Sequence, residues 1–193
     1  MKLYPIEIIE GPMFCGKTTE LLRRTNLFKH DPTHRVVLIN YAADIRYSSD
    51  RVATHSDRHG NQSSAEAIFV SELHMVKDDV EEATVVGINE GQFFSDLTEF
   101  VLGLQRAGKR VIIAMLNSTF EQKPFHRARE ELAAYSVVTG LTSPCFFCHK
   151  VGATASIRLG DSKEKVVIGG DELYKACCIT CLHKRRDAVD EAE

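Results

Sequence analysis

The sequence predicts an α/β fold, a largely parallel sheet with helices on both faces and a small cysteine-bearing appendage. Three observations carry this. Ile6-Glu7-Ile8-Ile9 runs through a glycine-containing loop into a helical pattern. Val36-Val37-Leu38-Ile39, Thr84-Val85-Val86-Gly87-Ile88 and Arg110 to Leu116 are further strand-length apolar runs, as expected where both sheet faces are covered. From about Tyr135 the pattern changes to short alternating strands, glycine pairs and cysteines.

The first apolar run gives a buried strand. Leu21, Leu22, Thr25 and Phe28 then recur at helical spacing until Asp31-Pro32 stops the helix. Residues 42–66 are polar, with Ser, Asp, His and Asn around Gly60, and read as a long loop. The third apolar run ends in Asn89-Glu90. Ser95 and Asp96 supply start signals for a helix whose apolar face is Leu97, Phe100, Val101 and Leu104, and Gly108 is placed to end it. Alternating strands and helices of these lengths imply βαβ crossovers. The predicted organisation is a main domain over 1–141, a subdomain over 142–186 and a tail over 187–193.

A chain of 193 residues suffices for one substantial core with a satellite. No apolar run approaches the ~20 residues of a membrane span. The N-terminus lacks a secretory apolar core, so the reducing cytoplasm is the expected compartment and the six cysteines are thiols or metal ligands before they are disulfides. The net charge is −3 and the one basic cluster, Lys184-Arg185-Arg186, reads as a solvated helix end, which argues against a nucleic-acid partner.

Gly11-Pro12-Met13-Phe14-Cys15-Gly16-Lys17-Thr18 fits G-x-x-x-x-G-K-[ST] at every fixed position, between a strand and a helix. Backbone N–H groups of such a loop turn toward phosphates, Lys17 is expected on the β and γ phosphates and Thr18 on Mg²⁺. Cys145-x-x-Cys148 and Cys178-x-x-Cys181, with 29 residues between them, suit a tetrahedral structural Zn²⁺; Cys177 is a poorer substitute for Cys178 because it breaks the paired spacing, and His149 and His183 are expected bystanders. Glu90 ends a buried strand, where ligands of open parallel sheets bind, so it is a candidate general base. A strand-end glutamate taken alone is more often a solvated or capping residue.

Together these residues resemble the thymidine kinase family of animal cytosol, many bacteria and poxviruses. The resemblance runs through Gly11 to Glu20, Tyr41-Ala42-x-Asp44-x-Arg46-Tyr47-Ser48, Glu90-Gly91-Gln92-Phe93-Phe94, Thr119-Phe120, Lys123-Pro124-Phe125, the four cysteines, and Val167-Ile168-Gly169-Gly170 with Tyr174. It implies a RecA-like P-loop sheet with a zinc-ribbon lasso and transfer of the γ-phosphate of ATP to thymidine, with deoxyuridine as a further substrate. It also implies ATP and phosphate contacts at Gly11, Pro12, Met13, Phe14, Cys15, Gly16, Lys17, Thr18, Thr19, Asp44, Arg46, Asn89 and Gln92, with Glu90 as base. Met13, Phe93, Leu116, Phe120, Phe125, Val167, Ile168, Gly169, Gly170 and Tyr174 are implied around the nucleoside, although each alone reads as core packing. Mg²⁺ with ATP, structural Zn²⁺, a homotetramer and feedback by dTTP complete what the resemblance implies.

The chain departs from the family pattern at Asn89, where Asp is usual, at Asn117-Ser118 in place of Asp-Gly, at Cys15 in place of Ser, and over residues 55–64. An amide at 89 lacks the charge that helps hold Mg²⁺, so the sequence alone predicts a raised magnesium requirement. Two other readings stay open at this point: a nucleotide-binding relative with weakened catalysis, and a P-loop ATPase whose zinc ribbon grips nucleic acid.

Overall fold

The computed structural model describes residues 2–44, 51–53, 64–159 and 172–190. In chain order the strands and helices are β1 (Ile6–Gly11), α1 (Lys17–Lys29), β2 (Val36–Tyr41), β3 (Arg51–Ala53), β4 (Ser64–Glu66), β5 (Ile68–Val70), β6 (Val85–Ile88), α2 (Leu97–Arg106) and β7 (Arg110–Leu116). There follow α3 (Ala128–Glu131), β8 (Ser136–Gly140), β9 (Ser143–Pro144), β10 (Val151–Ala153), β11 (Ala155–Arg158), β12 (Tyr174–Cys177) and α4 (Ile179–Asp190).

Six strands form one parallel sheet in the order β5-β2-β6-β7-β1-β8. Parallel pairing brings the carboxyl ends of β1, β2, β6 and β7 to one edge, with Gly11 opposite Leu116 and Ile39 opposite Ile88. Successive side chains of a strand point to opposite faces, and here both faces are dry. Val111, Ile113 and Met115 of β7 join Leu97, Phe100, Val101 and Leu104 of α2 in one layer. Ile112 and Ala114 turn the other way, onto Leu21 and Phe28 of α1. The continuous apolar run in the sequence is thus two interleaved faces. Gly87 lets α1 approach closely, since a Cβ there would lie 2.6 Å from Leu38 and 3.0 Å from Thr25.

Three local expectations need correction. The polar stretch 42–66 is not loop throughout: β3 and β4 pair antiparallel, and β5 then adds an edge strand to the main sheet. Three-residue strands of mixed polarity leave no periodicity to read. The change of pattern at Tyr135 precedes a strand of the main sheet, because β8 pairs parallel with β1 as its other edge. Asp96 stands before α2, yet its carboxylate does not cap that helix; it accepts the N–H groups of Leu73 (3.1 Å) and His74 (2.8 Å) and so holds the 3₁₀ turn Leu73–Val76. Gly108, with φ +78°, does end α2.

The cysteine-bearing region builds a separate small core from Cys145, Ala153, Ala155, Ile157, Ala176, Cys177 and Leu182. Its two-stranded pairs are β9 with β10 and β11 with β12, both antiparallel. Lys184 and Arg185 are exposed on α4, and the Arg185 guanidinium also lies 4.5 Å over the Phe147 ring. Among the described residues no helix is long and apolar enough to cross a membrane.

Candidate active site and metal centre

Gly11 closes β1 where no side chain fits: a Cβ would meet the Leu141 carbonyl oxygen at 2.5 Å and Cys15 Sγ at 2.7 Å. Phe14 and Gly16 both take positive φ, +62° and +85°, so the loop between β1 and α1 turns twice through left-handed backbone. Pro12 is buried, Met13, Phe14, Cys15, Lys17 and Thr18 are half-buried, and Gly16 and Thr19 are exposed. Lys17 Nζ folds back over the loop to donate to the Pro12 carbonyl at 2.6 Å, with Cys15 Sγ at 3.9 Å. Burial pushes the Cys15 thiol up in pKa against the opposing pull of Lys17.

Across the carboxyl edge, Thr18 Oγ1 donates to Asn89 Oδ1 at 3.1 Å. Asn89 Nδ2 in turn donates to Asn40 Oδ1 at 2.8 Å, and Asn40 Nδ2 reaches the carbonyl (3.3 Å) and carboxylate (3.5 Å) of Asp44. The loop, the end of β6 and the end of β2 are thereby linked. Thr18 and Asp44 offer oxygen donors of the kind a hard divalent cation takes, so these residues fit Mg²⁺ carried by a nucleotide.

Glu90 follows directly, with φ +55°. Its carboxylate accepts from Gln92 Nε2 at 2.5 Å, and Gln92 Oε1 accepts the Leu116 N–H at 2.9 Å, so a buried glutamine braces the acid against the end of β7. Gly91 has no room for a side chain, because a Cβ would lie 2.7 Å from Ile113.

Of the side chains expected around a nucleoside, Met13 lies in the loop after β1, Leu116 ends β7 and Tyr174 starts β12. Met13, Phe93, Leu116, Phe120 and Phe125 are half-buried and Tyr174 is buried. Phe93 stands 5.1 Å from the Tyr41 ring and 5.9 Å, edge to face, from Phe125. Arg158 lies 3.9 Å over Phe120. Arg46, Val167, Ile168, Gly169 and Gly170 lie outside the described residues.

Sequence reasoning did not single out the stitching between this edge and the cysteine region. Met13 N–H donates to Ser156 Oγ (2.9 Å), Gln122 Nε2 to the Ser156 carbonyl (2.9 Å) and Asn117 Nδ2 to the Thr154 carbonyl (2.8 Å). Asn40 and Ser156 are the residues it missed, and Tyr41 entered it only as part of the family motif, with no role. For Asn40 and Tyr41 a signal existed, since both close an apolar run at a strand's carboxyl end.

The sulfur atoms of Cys145, Cys148, Cys178 and Cys181 lie within 4.8 Å of one another, with Cys148 and Cys178 at 3.8 Å. Four thiolates around a Zn²⁺ at about 2.3 Å would stand about 3.8 Å apart, so the cluster fits such an ion. All six cysteines are free thiols. Burial opposes ionisation of Cys145, but the N–H groups of Cys178, Cys148 and Phe147 outweigh it and bring its pKa down to about 6. Cys181 is pushed up to about 12 by desolvation and then by hydrogen bonds to Cys178, Cys148 and Cys145, a conflict among thiols that a cation relieves. Cys177 is not one of the four clustered cysteines; its pKa is raised to about 11 by burial and by the charge of Cys145, and it donates to the Cys178 carbonyl. His149 and His183 are exposed and outside the cluster.

A parallel sheet with a phosphate-binding loop after its first strand and an acid after a neighbouring one defines a P-loop nucleotide-binding protein. A family model described as thymidine kinase matches residues 4–182. The chain is 38% identical over 176 residues to the thymidine kinase of rabbit fibroma virus (strain Kasza), covering 91% of this chain and 94% of that one. It is 39% identical over 180 residues to the cytosolic thymidine kinase of Homo sapiens, covering 93% and 74%, and 37% identical over 176 residues to the thymidine kinase of vaccinia virus (strain Copenhagen), covering 91% and 95%. The chain belongs to the thymidine kinase family.

The brace at Glu90 is open to test. Gln92→Leu leaves the Leu116 N–H without its acceptor in a dry site, so unfolding in urea should show a loss of about 1–3 kcal/mol; an unchanged midpoint and slope would remove the brace from the account.

Proposed function

We propose that the chain catalyses transfer of the γ-phosphate of ATP to the 5′-hydroxyl of thymidine, and of deoxyuridine, giving dTMP in cytoplasmic nucleotide salvage. The observation that carries this reading is the Thr18–Asn89 hydrogen bond, which brings the residue before Glu90 into contact with the phosphate loop. An acceptor for a hydroxyl proton and a cradle for phosphates then share one edge of the sheet.

In this reading the backbone N–H groups of the loop and the Lys17 ammonium hold the phosphates, with Gly11, Pro12, Met13, Phe14, Cys15, Gly16, Thr19 and Gln92 forming or backing the cradle. Mg²⁺ bound with ATP supplies neutralisation of phosphate charge, and Thr18 and Asp44 would hold it. Arg46 would lie near the same phosphates. Glu90 accepts the proton of the 5′-hydroxyl, whose oxygen forms a bond to the γ-phosphorus while the bond from that phosphorus to the β-phosphate oxygen breaks and ADP leaves. Gln92 orients that carboxylate. Met13, Phe93, Leu116, Phe120, Phe125 and Tyr174, with Val167 to Gly170, enclose the nucleoside and exclude water.

The cysteine cluster would hold a structural Zn²⁺, a closed shell with no open position for chemistry. Its role is to anchor a lid over residues 142–186 on the domain of 1–141; the small core there supports this, because Cys145 belongs to it and Cys148, Cys178 and Cys181 pack against it. Free thiols throughout support the cytoplasm. A homotetramer and inhibition by dTTP belong to the same reading through the family.

Two measurements test it. Purified protein with thymidine and ATP should form dTMP and ADP in equal amounts, and Glu90→Gln should lower turnover roughly 10²-fold or more with nucleotide binding retained; parental turnover in the Gln variant would withdraw Glu90 as base. Elemental analysis of freshly purified, unchelated protein should give one zinc per chain, and strong chelation should increase amide exchange over 145–159 and 172–181 while β1 and β7 stay protected. Substantially less than one zinc would overturn the metal assignment.

A further inference from the structure

Asn40 and Asn89 are almost wholly buried, at 2% and 4% exposure, side by side at the carboxyl ends of β2 and β6. An amide side chain has a donor end and an acceptor end, and which way each points is decided by its neighbours. At one end of this pair stand the Asp44 carbonyl and carboxylate, acceptors both, at 3.3 and 3.5 Å. They require Asn40 to turn its Nδ2 toward them. Its Oδ1 then faces Asn89, which answers with its own Nδ2 at 2.8 Å. Asn89 is left with only Oδ1 for Thr18, so the Thr18 hydroxyl is obliged to donate, at 3.1 Å. A hydroxyl that donates inward keeps both lone pairs unspent.

We propose that Asn40 and Asn89 act as positioning residues, a neutral relay that carries the polarity of Asp44 to the Thr18 hydroxyl and so keeps that oxygen available to the nucleotide's Mg²⁺. The proposal rests on the kinase reading above. It also gives Asn89 a partner. A carboxylate at 89 would still accept from Thr18 but would offer no N–H to the Asn40 carbonyl. Relief by turning the Asn40 amide would set its carbonyl against the acceptors of Asp44. The amide at 89 is matched to the amide at 40, and the missing charge is an adaptation of the pair.

The test is calorimetric titration of the intact chain with a non-hydrolysable ATP analogue, with and without Mg²⁺, reading the gain in affinity that the ion confers. Asn40→Leu should lower this gain about tenfold, the scale of one oriented hydrogen bond, and leave thymidine affinity unchanged. Thr18→Val should lower the gain at least as far without abolishing it, and Asn40→Leu added to Thr18→Val should change nothing further, since Asn40 acts only through Thr18. A full gain in Asn40→Leu, or a further loss in the Thr18→Val background, overturns the relay. Should the Leu variant fail to fold, Asn40→Ala removes the same contact with Asn89 without adding bulk and takes its place: a lowered gain supports the relay, a full gain overturns it. Absence of analogue binding by the unmodified chain would instead overturn the kinase reading and the relay with it.

Discussion

The hydrogen bond from Thr18 to Asn89 is the contact on which the arrangement of the site depends. It joins the first turn of α1 to the end of β6, two elements held apart in the sequence by 71 positions. Without it the phosphate loop and the strand-end acid would be neighbours only through the sheet. With it, the position of Glu90 relative to the loop is fixed by a single residue of backbone. The sheet makes the contact attainable, because parallel pairing of β1, β7, β6 and β2 brings four carboxyl ends to one edge. Close packing by Gly11, Gly87 and Gly91 then removes the side chains that would hold these elements apart.

The cysteine region is coupled to that edge by polar contacts rather than by a shared apolar core. Ser156 is buried and accepts the Met13 N–H through its hydroxyl and the Gln122 amide through its carbonyl. Asn117 adds a third bond, to the Thr154 carbonyl. β11, which carries Ser156 and is paired to β12 next to Cys178, is thus fixed at one end by the phosphate loop and at the other by the four sulfurs. A metal ion there has a mechanical route to the nucleotide site although it lies outside the chemistry.

Much of this was legible in the sequence, for identifiable reasons. The phosphate loop has a fixed spacing because its backbone must wrap phosphates, and paired cysteines have theirs because one ion sets their separation. The apolar runs of β2, β6 and β7 are readable because parallel strands are buried on both faces. The same burial hid which face each residue takes, so the division of β7 between α1 and α2 needed the fold. β3, β4 and β5 escaped because three residues carry no period, and Asp96 misled because a carboxylate before a helix can serve another turn. Asn40 closes an apolar run at a strand's carboxyl end, a signal of place, but the role of a buried amide there is readable only once its partners are known. Phe93, Phe120 and Phe125 read singly as core, and only their half-buried places distinguish them.

The account turns on one juxtaposition, a proton acceptor and a phosphate cradle serving the same hydroxyl. A crystal structure of the intact chain with thymidine and a non-hydrolysable ATP analogue measures it directly. The account predicts the thymidine 5′-oxygen within hydrogen-bond reach of the Glu90 carboxylate, about 2.6–3.2 Å, facing a γ-phosphate held by Lys17 and the loop N–H groups. A nucleoside bound with its 5′-oxygen turned away from Glu90, or phosphates held elsewhere than residues 11–18, would contradict it.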